Sequence, residues 1–557
     1  MGITEQQCVR KGCVWLENFP GPWCQTADSP YIPSMFELGF DKLTDEQYAT
    51  LQYAILSFFA LSFAVLFGSS KFMINAEFIV IGILFVLAWI TRYHNIEHPK
   101  EVVFDEYYFG HFANSYCNGT YVFDIHPPLA KLTHYFVGSL MGQKCTMDFH
   151  GKDELSKYSD YDQYVPYRRI SAFFGTLAVP LAYLIGREFK LSVQASVLLG
   201  AIMLCDSLLL SETRLVLTDS QLFFYIILSI YCALKLWNSK DRSFSRNFWT
   251  VATAVASGCA FCVKFTALAT LGWIAFVTYL AVYTHRKPIG ILRCFVAAAI
   301  SAVVFSIPFY FHIALGKHSS DADWNIDLEH QQLLIGNANY NPRAVPPSFI
   351  SHLIYLIKRM LEQNAASLGD HPYASFWYEW IVGKGALLSY SEHREDEDWH
   401  GHIFIVSNVF ICYSILLAFF VFFPIAFTML RGRVSFRLSA RETHFLKTGF
   451  LLFLGWIANL LPYALVARTT YSYHYLPGQF YGMVMVCLIF DEVPHLFFSL
   501  FFSGEQLERI LHKARAVVAI LLFVGLFWNY FYYSCFSYGF GLDNLEYSKR
   551  KWIVSGL

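Results

Sequence analysis

Residues 291–315 read ILRCFVAAAISAVVFSIPFYFHIAL, in which Arg293 is the one side chain that carries a full charge. An apolar run of this length can cross the hydrocarbon core of a bilayer as an α-helix. Similar runs recur along most of the 557 residues, which are 55 % hydrophobic and 15 % charged, with a mean hydropathy of +0.39. Soluble domains carry about 25 % charged residues, so the sequence predicts an all-α polytopic membrane protein.

Hydropathy divides the chain into about twelve candidate membrane-spanning segments. They are residues 50–68, 76–93, 170–187, 191–210, 216–236, 249–266, 267–284, 291–315, 402–430, 446–466, 475–502 and 514–534. Each of them is followed or preceded by a short polar connection, so the chain is expected to cross the membrane repeatedly.

The distribution of Lys and Arg predicts the orientation of these spans. Basic residues concentrate in the connections at 235–246, 286–287, 431–447 and 509–515. With twelve spans, all four connections lie on one side, which is the cytosolic side because short basic loops are retained there. The lumenal side then holds the N-terminus, the loops 94–169 and 316–401, and the tail 536–557.

Charge balance and cysteines agree with this class of protein. Lys and Arg total 41 against 42 Asp and Glu, so no basic excess is available for a nucleic acid partner. Cys8, Cys13 and Cys24 precede the first span, in a stretch that resembles a fragment of a trefoil module, which is a lumenal fold built on disulfides. Cys117 and Cys145 share a lumenal loop, where they either pair or remain free thiols.

The densest group of chemically active residues follows the second span, in VVFDEYYFGHFANSYCNGTYVFDIHPPLAKLTHYF. It contains Asp105, Glu106, Asp124 and His126. Proline is tolerated in the first turn of a helix, so the two prolines after His126 predict an interfacial helix over 129–142. The N–H groups at such a helix start suit a phosphate, although a solvated loop with a helix cap explains the same pattern.

Further polar side chains lie at the lumenal ends of the predicted spans. They are Arg169, Arg214, Asp219, Lys264, Arg468, Tyr473 and His474. Each one alone is explained by a structural ion pair or by a long side chain that reaches the interface, and Arg214 is expected to pair with Asp219. Because the topology brings them all to the membrane face of Asp105, together they indicate a site for an anionic lipid head group and a proton-accepting step.

At these residues the sequence strongly resembles the protein O-mannosyltransferases, which are lumenal membrane enzymes of the GT-C fold. The matching segments are FDEYYFGHFANSY, FDIHPPLAK, YRRISAFFGTLAVPLAY, TRLVLTDSQLFF, GCAFCVKFTAL, HPYASFWYEW and YSYHYLPGQF. The resemblance implies a GT-C mannosyltransferase membrane domain over residues 76–535, with the loops 94–169 and 316–401 in the lumen.

The resemblance implies that dolichyl-phosphate-mannose donates mannose to a Ser or Thr hydroxyl of a secretory-pathway protein, with inversion at the sugar. Such a displacement needs a base on the acceptor face and a stabiliser of the leaving phosphate on the opposite face. Asp105 is the expected base, and Glu106 is expected to position the acceptor. The expected phosphate ligands, all of which donate to phosphate oxygens, are His126, Arg169, Lys264, Arg468 and His474.

The remaining site residues are expected to support this chemistry. They are Asp124, Arg214, Asp219, His371 and Tyr473, with His371 in the segment HPYASFWYEW on the acceptor side. No cofactor or metal is expected, because basic side chains already match the phosphate, although adjacent carboxylates such as Asp105 and Glu106 offer ligands to a divalent ion. The resemblance also implies the endoplasmic reticulum membrane, a lumenal active site, and a homo- or heterodimer with a related mannosyltransferase.

Two features depart from the family. The segment HSSDADWNIDLEHQQLLIGN resembles the lead-in to a MIR domain, a lumenal β-trefoil module, but only residues 338–370 separate it from HPYAS, so this domain is predicted to be absent. The family begins with the equivalent of span 76–93. Residues 49–75 are therefore predicted to be an additional N-terminal span that follows a lumenal, Cys-containing segment, 1–48.

Other functions remain open at this stage. A GT-C enzyme with a lipid or glycan acceptor, or with another dolichyl-linked sugar, would share the same motifs. A non-catalytic subunit that stabilises a catalytic partner would not need to retain the adjacent carboxylates Asp105 and Glu106. A transporter would require inverted repeats and broken helices at mid-membrane, which the sequence does not show.

Overall fold

The computed structural model describes most of the membrane domain and short parts of the N-terminal segment. The described residues are 13–16, 23–26, 76–142, 149, 164–240, 243–283, 289–366, 371–392, 399–432 and 437–553. The span predicted at 50–68 lies outside these residues, so it remains a prediction. Cys117 forms a disulfide, whereas Cys145 lies outside the described residues and their pairing is still a prediction.

The described chain is mostly helical. Its first half contains α1 (Ala76–Tyr93), α2 (Glu106–Asn118), α3 (Leu129–Leu140), α4 (Val165–Glu188), α5 (Val193–Leu204), α6 (Ser207–Glu212), α7 (Asp219–Asn238), α8 (Phe244–Phe261), α9 (Leu268–Leu280) and α10 (Ile291–Leu315). Its second half contains α11 (Leu328–Gln331), α12 (Phe349–Ala366), α13 (Trp377–Trp380), α14 (Val409–Gly432), α15 (Ala440–Leu460), α16 (Leu476–Phe498), α17 (Gly504–Tyr538) and α18 (Asn544–Arg550). Short 3₁₀ turns occupy Phe265–Ala267, Asp323–Asn325, Leu461–Ala464, Ser472–Tyr475 and Lys551–Ile553.

Small antiparallel strand pairs supplement the helices. The strands are β1 (Cys13–Leu16), β2 (Trp23–Thr26), β3 (Leu387–Ser391), β4 (Trp399–His400), β5 (His402–Ile405) and β6 (Leu542–Asp543). β1 pairs with β2, β3 with β5, and β4 with β6. The last pair joins the large loop before α14 to the segment that follows α17.

Within the described residues, seven helices are long and apolar enough to cross a membrane. They cover Val165–Glu188, Asp219–Asn238, Ile291–Leu315, Val409–Gly432, Ala440–Ala464, Ser472–Phe498 and Gly504–Tyr538. These helices confirm a multi-pass membrane protein, and each coincides with a span predicted from hydropathy. The predicted total of twelve spans stays a prediction.

Two predicted spans differ from the observed helices for local reasons. The span predicted at 191–210 divides into α5 and α6, because Asp206 caps a new helix by accepting a hydrogen bond from the Leu209 N–H at 3.2 Å. The span predicted at 402–430 begins only at Val409, because His402–Ile405 is a strand paired with β3.

Burial separates a central helix layer from a peripheral one. The most apolar windows of α4 and α7 are 83 % and 78 % buried within the protein, whereas those of α10 and α17 are 17 % and 11 % buried. An apolar helix that the protein does not cover is suited to contact with lipid. Gly175 in α4 allows the segment after α6 to approach closely, since a Cβ there would lie 2.5 Å from the Cβ of Thr213. The polar segment that follows α6 therefore packs directly against α4 in the central layer.

Candidate active site

Asp105 stands at the N-cap of α2, shortly after the end of α1. Its carbonyl accepts hydrogen bonds from the N–H groups of Tyr108 (3.0 Å) and Phe109 (3.1 Å), while its side chain makes no capping hydrogen bond. The preceding Phe104 has φ +49°, a left-handed conformation that a bulky residue rarely adopts. Strain of this kind persists where the surrounding structure imposes it, which is common at functional sites.

The charges around Asp105 set its proton affinity. Burial raises the pKa of the Asp105 carboxyl to about 6, and the negative charges of Asp219 and Asp124 act in the same direction. The cations Lys264 and Arg468 lower this pKa. A carboxylate with a pKa near 6 is ionised at neutral pH and more basic than an ordinary aspartate, which suits a general base.

Glu106, the neighbour of Asp105, is fully engaged in a buried ion pair with Arg168. Arg168 Nε donates to Oε1 at 2.7 Å and Arg168 Nη2 donates to Oε2 at 2.8 Å, and both side chains are 0 % exposed. The N–H groups of Val103 (3.0 Å) and Val216 (2.9 Å) also donate to this carboxylate. Glu106 therefore ties α2 to α4 and to the segment before α7 that contains Val216. These four donors occupy the Glu106 carboxylate.

Arg168 was missed by the sequence interpretation, which named Arg169. The structure places Arg169 on the exposed side of α4, close to Tyr93. Arg168 instead points inward and also donates to the carbonyls of Pro99 (2.8 Å) and Glu101 (3.1 Å). The helical period held a usable signal, because the small buried residues Ser171, Ala172 and Gly175 follow Arg168 at i+3, i+4 and i+7.

Asp219 pairs with Lys264, and the predicted pairing of Asp219 with Arg214 is wrong. The distance from Lys264 Nζ to Asp219 Oδ2 is 2.6 Å, and the ammonium also lies 5.4 Å from the ring centre of Tyr473. Arg214 donates to the backbone carbonyls of Arg92 (3.0 Å), in the last turn of α1, and His94 (2.6 Å), just after α1. Arg214 therefore anchors the loop that leads to Asp105, while Lys264 faces the site.

The loop before α3 contributes a second ion pair and an imidazole. Lys131 Nζ lies 2.5 Å from Asp124 Oδ2 and donates to the carbonyl of His126 at 2.6 Å. Burial lowers the pKa of His126 well below its usual value, and the cations Lys264, Lys131 and Arg468 act in the same direction. His126 is therefore a neutral imidazole, which serves as a hydrogen-bond donor instead of a point charge. The observed α3 confirms the predicted helix after the two prolines.

Arg468 and His474 complete the cluster from the segment between α15 and α16. Arg468 Nη1 donates to Asn364 Oδ1, and its Nε has no hydrogen-bond partner within the described chain. His474 stacks on Tyr473 with ring centres 4.5 Å apart, and on Trp380 at 6.2 Å.

His371 lies at the edge of this aromatic group, in a T-shaped contact with Tyr471 at 5.2 Å. The rings of Tyr471 and Tyr473 stack with their centres 5.6 Å apart. Because Lys264 lies over the ring of Tyr473, the two tyrosines connect His371 with Lys264. The structure thus brings together Asp105, the Lys264–Asp219 pair, His126, Arg468 and the aromatic group, while Arg169 is exposed on α4.

This arrangement combines a basic carboxylate with several donors for an anion. Lys264 and Arg468 act electrostatically on both Asp105 and His126, so these side chains share one field. These cations favour the ionised form of Asp105, which can accept a proton from a hydroxyl group, and such side chains can also bind an anion.

Two parts of the chain match known family models. Residues 82–320 match the family of dolichyl-phosphate-mannose-protein mannosyltransferases, and residues 349–555 match the C-terminal four TMM region of protein-O-mannosyltransferase. Dolichyl-phosphate-mannose–protein mannosyltransferase 4 of Candida albicans is 30 % identical over 263 residues, which cover 45 % of this chain and 35 % of that protein. Mannosyltransferase 2 of the same organism is 28 % identical over 287 residues, covering 49 % and 37 %. The chain thus spans little more than a third of the length of these two relatives.

The fold has a close counterpart among solved structures. The S. cerevisiae protein O-mannosyltransferase Pmt1-Pmt2 complex bound to the sugar donor superposes with a TM-score of 0.76 at 16 % identity, covering 87 % of this chain and 93 % of that one. This likeness confirms the predicted GT-C architecture. The two family matches together extend over most of the chain, and the protein belongs to the protein O-mannosyltransferase family.

Proposed function

We propose that this protein transfers mannose from dolichyl-phosphate-mannose to Ser or Thr hydroxyls of secretory-pathway proteins, with inversion at the sugar carbon. The observation that carries the proposal is Asp105, a carboxylate without a capping role that lies in the field of Lys264 and Arg468. Asp105 accepts the hydroxyl proton as the acceptor oxygen attacks the sugar, and the bond to phosphate breaks on the opposite face.

The leaving dolichyl phosphate carries a negative charge that the site must stabilise. Lys264, Arg468 and the neutral His126 are the proposed phosphate ligands, with His474 as a further donor. Asp219 orients Lys264 through their 2.6 Å contact, and Asp124 fixes Lys131 beside His126 at 2.5 Å. No metal enters the proposed reaction, because these donors already compensate the phosphate charge.

Location and partners follow from the same reaction. We propose the endoplasmic reticulum membrane with Asp105 on the lumenal side, where a dolichyl-linked donor and secretory proteins meet. The superposed relative is described as a Pmt1-Pmt2 complex bound to the sugar donor, which supports a homo- or heterodimer with a related mannosyltransferase for this chain. Polypeptides that contain Ser and Thr are the proposed acceptors.

A transfer assay tests the function directly. The full chain, in microsomes with and without a co-expressed related mannosyltransferase, receives labelled dolichyl-phosphate-mannose and a Ser/Thr-rich peptide. Label on the peptide supports the proposal. Label on a glycan or lipid and none on the peptide would instead favour a GT-C enzyme with another acceptor, and absence of label with an intact partner would favour a non-catalytic subunit.

The pH dependence of transfer is expected to report the ionisation of Asp105. Since burial raises the pKa of Asp105 to about 6, its reactive carboxylate is lost as the pH falls through that value. We expect kcat/KM to decline below pH 6 in proportion to the ionised fraction, and to be flat between about pH 7 and 8. A profile measured with saturating peptide and limiting donor checks this, and an acidic limb centred near pH 4 would show that Asp105 is not the base.

Lys264 and Asp219 are expected to shift this acidic limb in opposite directions. Lys264 lowers the pKa of Asp105 and Asp219 raises it, so Lys264→Met should move the midpoint up and Asp219→Asn should move it down. We expect shifts of about half a pH unit to one unit, where one unit corresponds to about 1.4 kcal/mol of interaction with the ionised carboxylate. Lys358→Met, which removes an ammonium 75 % exposed on α12, is the control and should leave the midpoint in place. Shifts of the same sign in both site variants would contradict the proposed arrangement.

A further inference from the structure

Glu212, the last residue of α6, is a buried carboxyl group without a role in the reaction described above. It is 1 % exposed, and neither Oε1 nor Oε2 has a hydrogen-bond partner in the described part of the chain. The hydroxyl of Thr218 and the amide oxygen of Gln221 are buried without a partner as well. A buried polar atom left unpaired is unfavourable, so these unpaired oxygens indicate that a ligand supplies their partners.

The position of Glu212 places it at the proposed site. Helix α6 packs against the turn Ser472–Tyr475, which carries Tyr473, and against the start of α7, which carries Asp219. Burial raises the pKa of Glu212 well above its usual value, the charges of Asp219 and Asp105 act in the same direction, and Lys264 opposes them. The group is therefore a neutral carboxylic acid, which offers one O–H donor together with acceptor oxygens.

The chemistry of the displacement suggests which ligand group meets Glu212. In an inverting transfer the sugar lies between the attacking hydroxyl and the leaving phosphate. Asp105 marks the first side and Lys264 marks the second, and Glu212 interacts electrostatically with both. Glu212 therefore belongs to the cluster that surrounds the sugar, whose hydroxyl groups supply both donors and acceptors.

We propose that Glu212 is a sugar-recognition residue, whose carboxyl group exchanges hydrogen bonds with hydroxyl groups of the mannosyl unit of the donor. The inference rests on the proposed function for the identity of the donor. Glu212 would select the sugar, whereas the residues proposed above bind the phosphate. Since a site built to hydrogen-bond a hydroxyl rejects ligands that lack it, Glu212 also contributes to discrimination between donor sugars.

Binding measurements on the purified full chain test this residue without requiring transfer. The affinities for dolichyl-phosphate-mannose and for dolichyl phosphate are compared in the wild type, Glu212→Gln and Glu212→Leu, with Glu329→Leu on the exposed lumenal surface as control. Glu212→Leu should lose roughly 10-fold in affinity for the mannosylated lipid and none for dolichyl phosphate. Glu212→Gln, which keeps a donor and an acceptor, should lose less than about 3-fold.

The outcomes separate this inference from the proposed function. If Glu212→Leu binds the mannosylated lipid as tightly as the wild type, the inference is wrong even where peptide transfer is observed. If the wild type prefers the mannosylated lipid through Glu212 but transfers nothing, the inference holds and the proposed function fails. Should Glu212→Leu not fold, donors that lack single mannose hydroxyls replace the variant, and equal wild-type affinity for all of them would overturn the inference.

Discussion

Asp105→Asn is expected to reduce mannose transfer by about 10²–10⁴-fold while the protein remains folded. The amide has the shape of the carboxylate, but its oxygen is not basic enough to accept the proton of a Ser or Thr hydroxyl. The side chain of Asp105 makes no capping hydrogen bond, so little stability depends on its charge. The loss should appear in kcat, because the substitution leaves the proposed phosphate ligands Lys264 and Arg468 unchanged.

The measurement is peptide transfer in detergent or microsomes, together with thermal unfolding of the purified variant. Asp321→Asn, which neutralises an exposed carboxylate in the loop after α10, is the matched control and should retain full activity. An Asp105→Asn protein that transfers mannose at the wild-type rate would remove the base from the proposed mechanism.

Glu106→Gln is expected to lower the stability of the protein, whereas Asp105→Asn is expected to lower its activity. Removing one charge from a buried ion pair costs about 3–5 kcal/mol, because the remaining charge is left without compensation. Arg168 is 0 % exposed and would keep its guanidinium in the interior facing a neutral amide. The lost contact also loosens the connection between α2 and α4 that positions Asp105.

Thermal unfolding in the absence of substrate measures this effect. Lys358→Ala, which breaks the exposed pair of Lys358 and Glu362, is the control. It should lower the free energy of unfolding by at most about 1 kcal/mol. The double change Glu106→Met with Arg168→Met should be less destabilising than either charge removal alone, since it leaves no unpaired charge. A Glu106→Gln protein with wild-type stability but a higher KM for the peptide would restore the original prediction that Glu106 positions the acceptor.

The helices that cross the membrane were predictable because hydropathy is a local property. Ile291–Leu315 was predicted and observed with the same ends, and the helix after the two prolines also follows from local backbone chemistry. The family segments likewise led to Asp105 before any geometry was known. These features depend on residues that are close in sequence, so a single chain carries enough information to identify them.

The partners of the charged residues required the tertiary structure. Arg168 and Arg169 are adjacent and chemically identical, and only the packing of α4 decides that Arg168 meets Glu106 while Arg169 faces outward. Asp219 pairs with Lys264, 45 positions away, and not with the nearby Arg214. Local sequence patterns identified which charged residues lie near the ends of the helices. Which of them compensate each other, and which remain for a ligand, depends on distances across the helix bundle that no local pattern encodes.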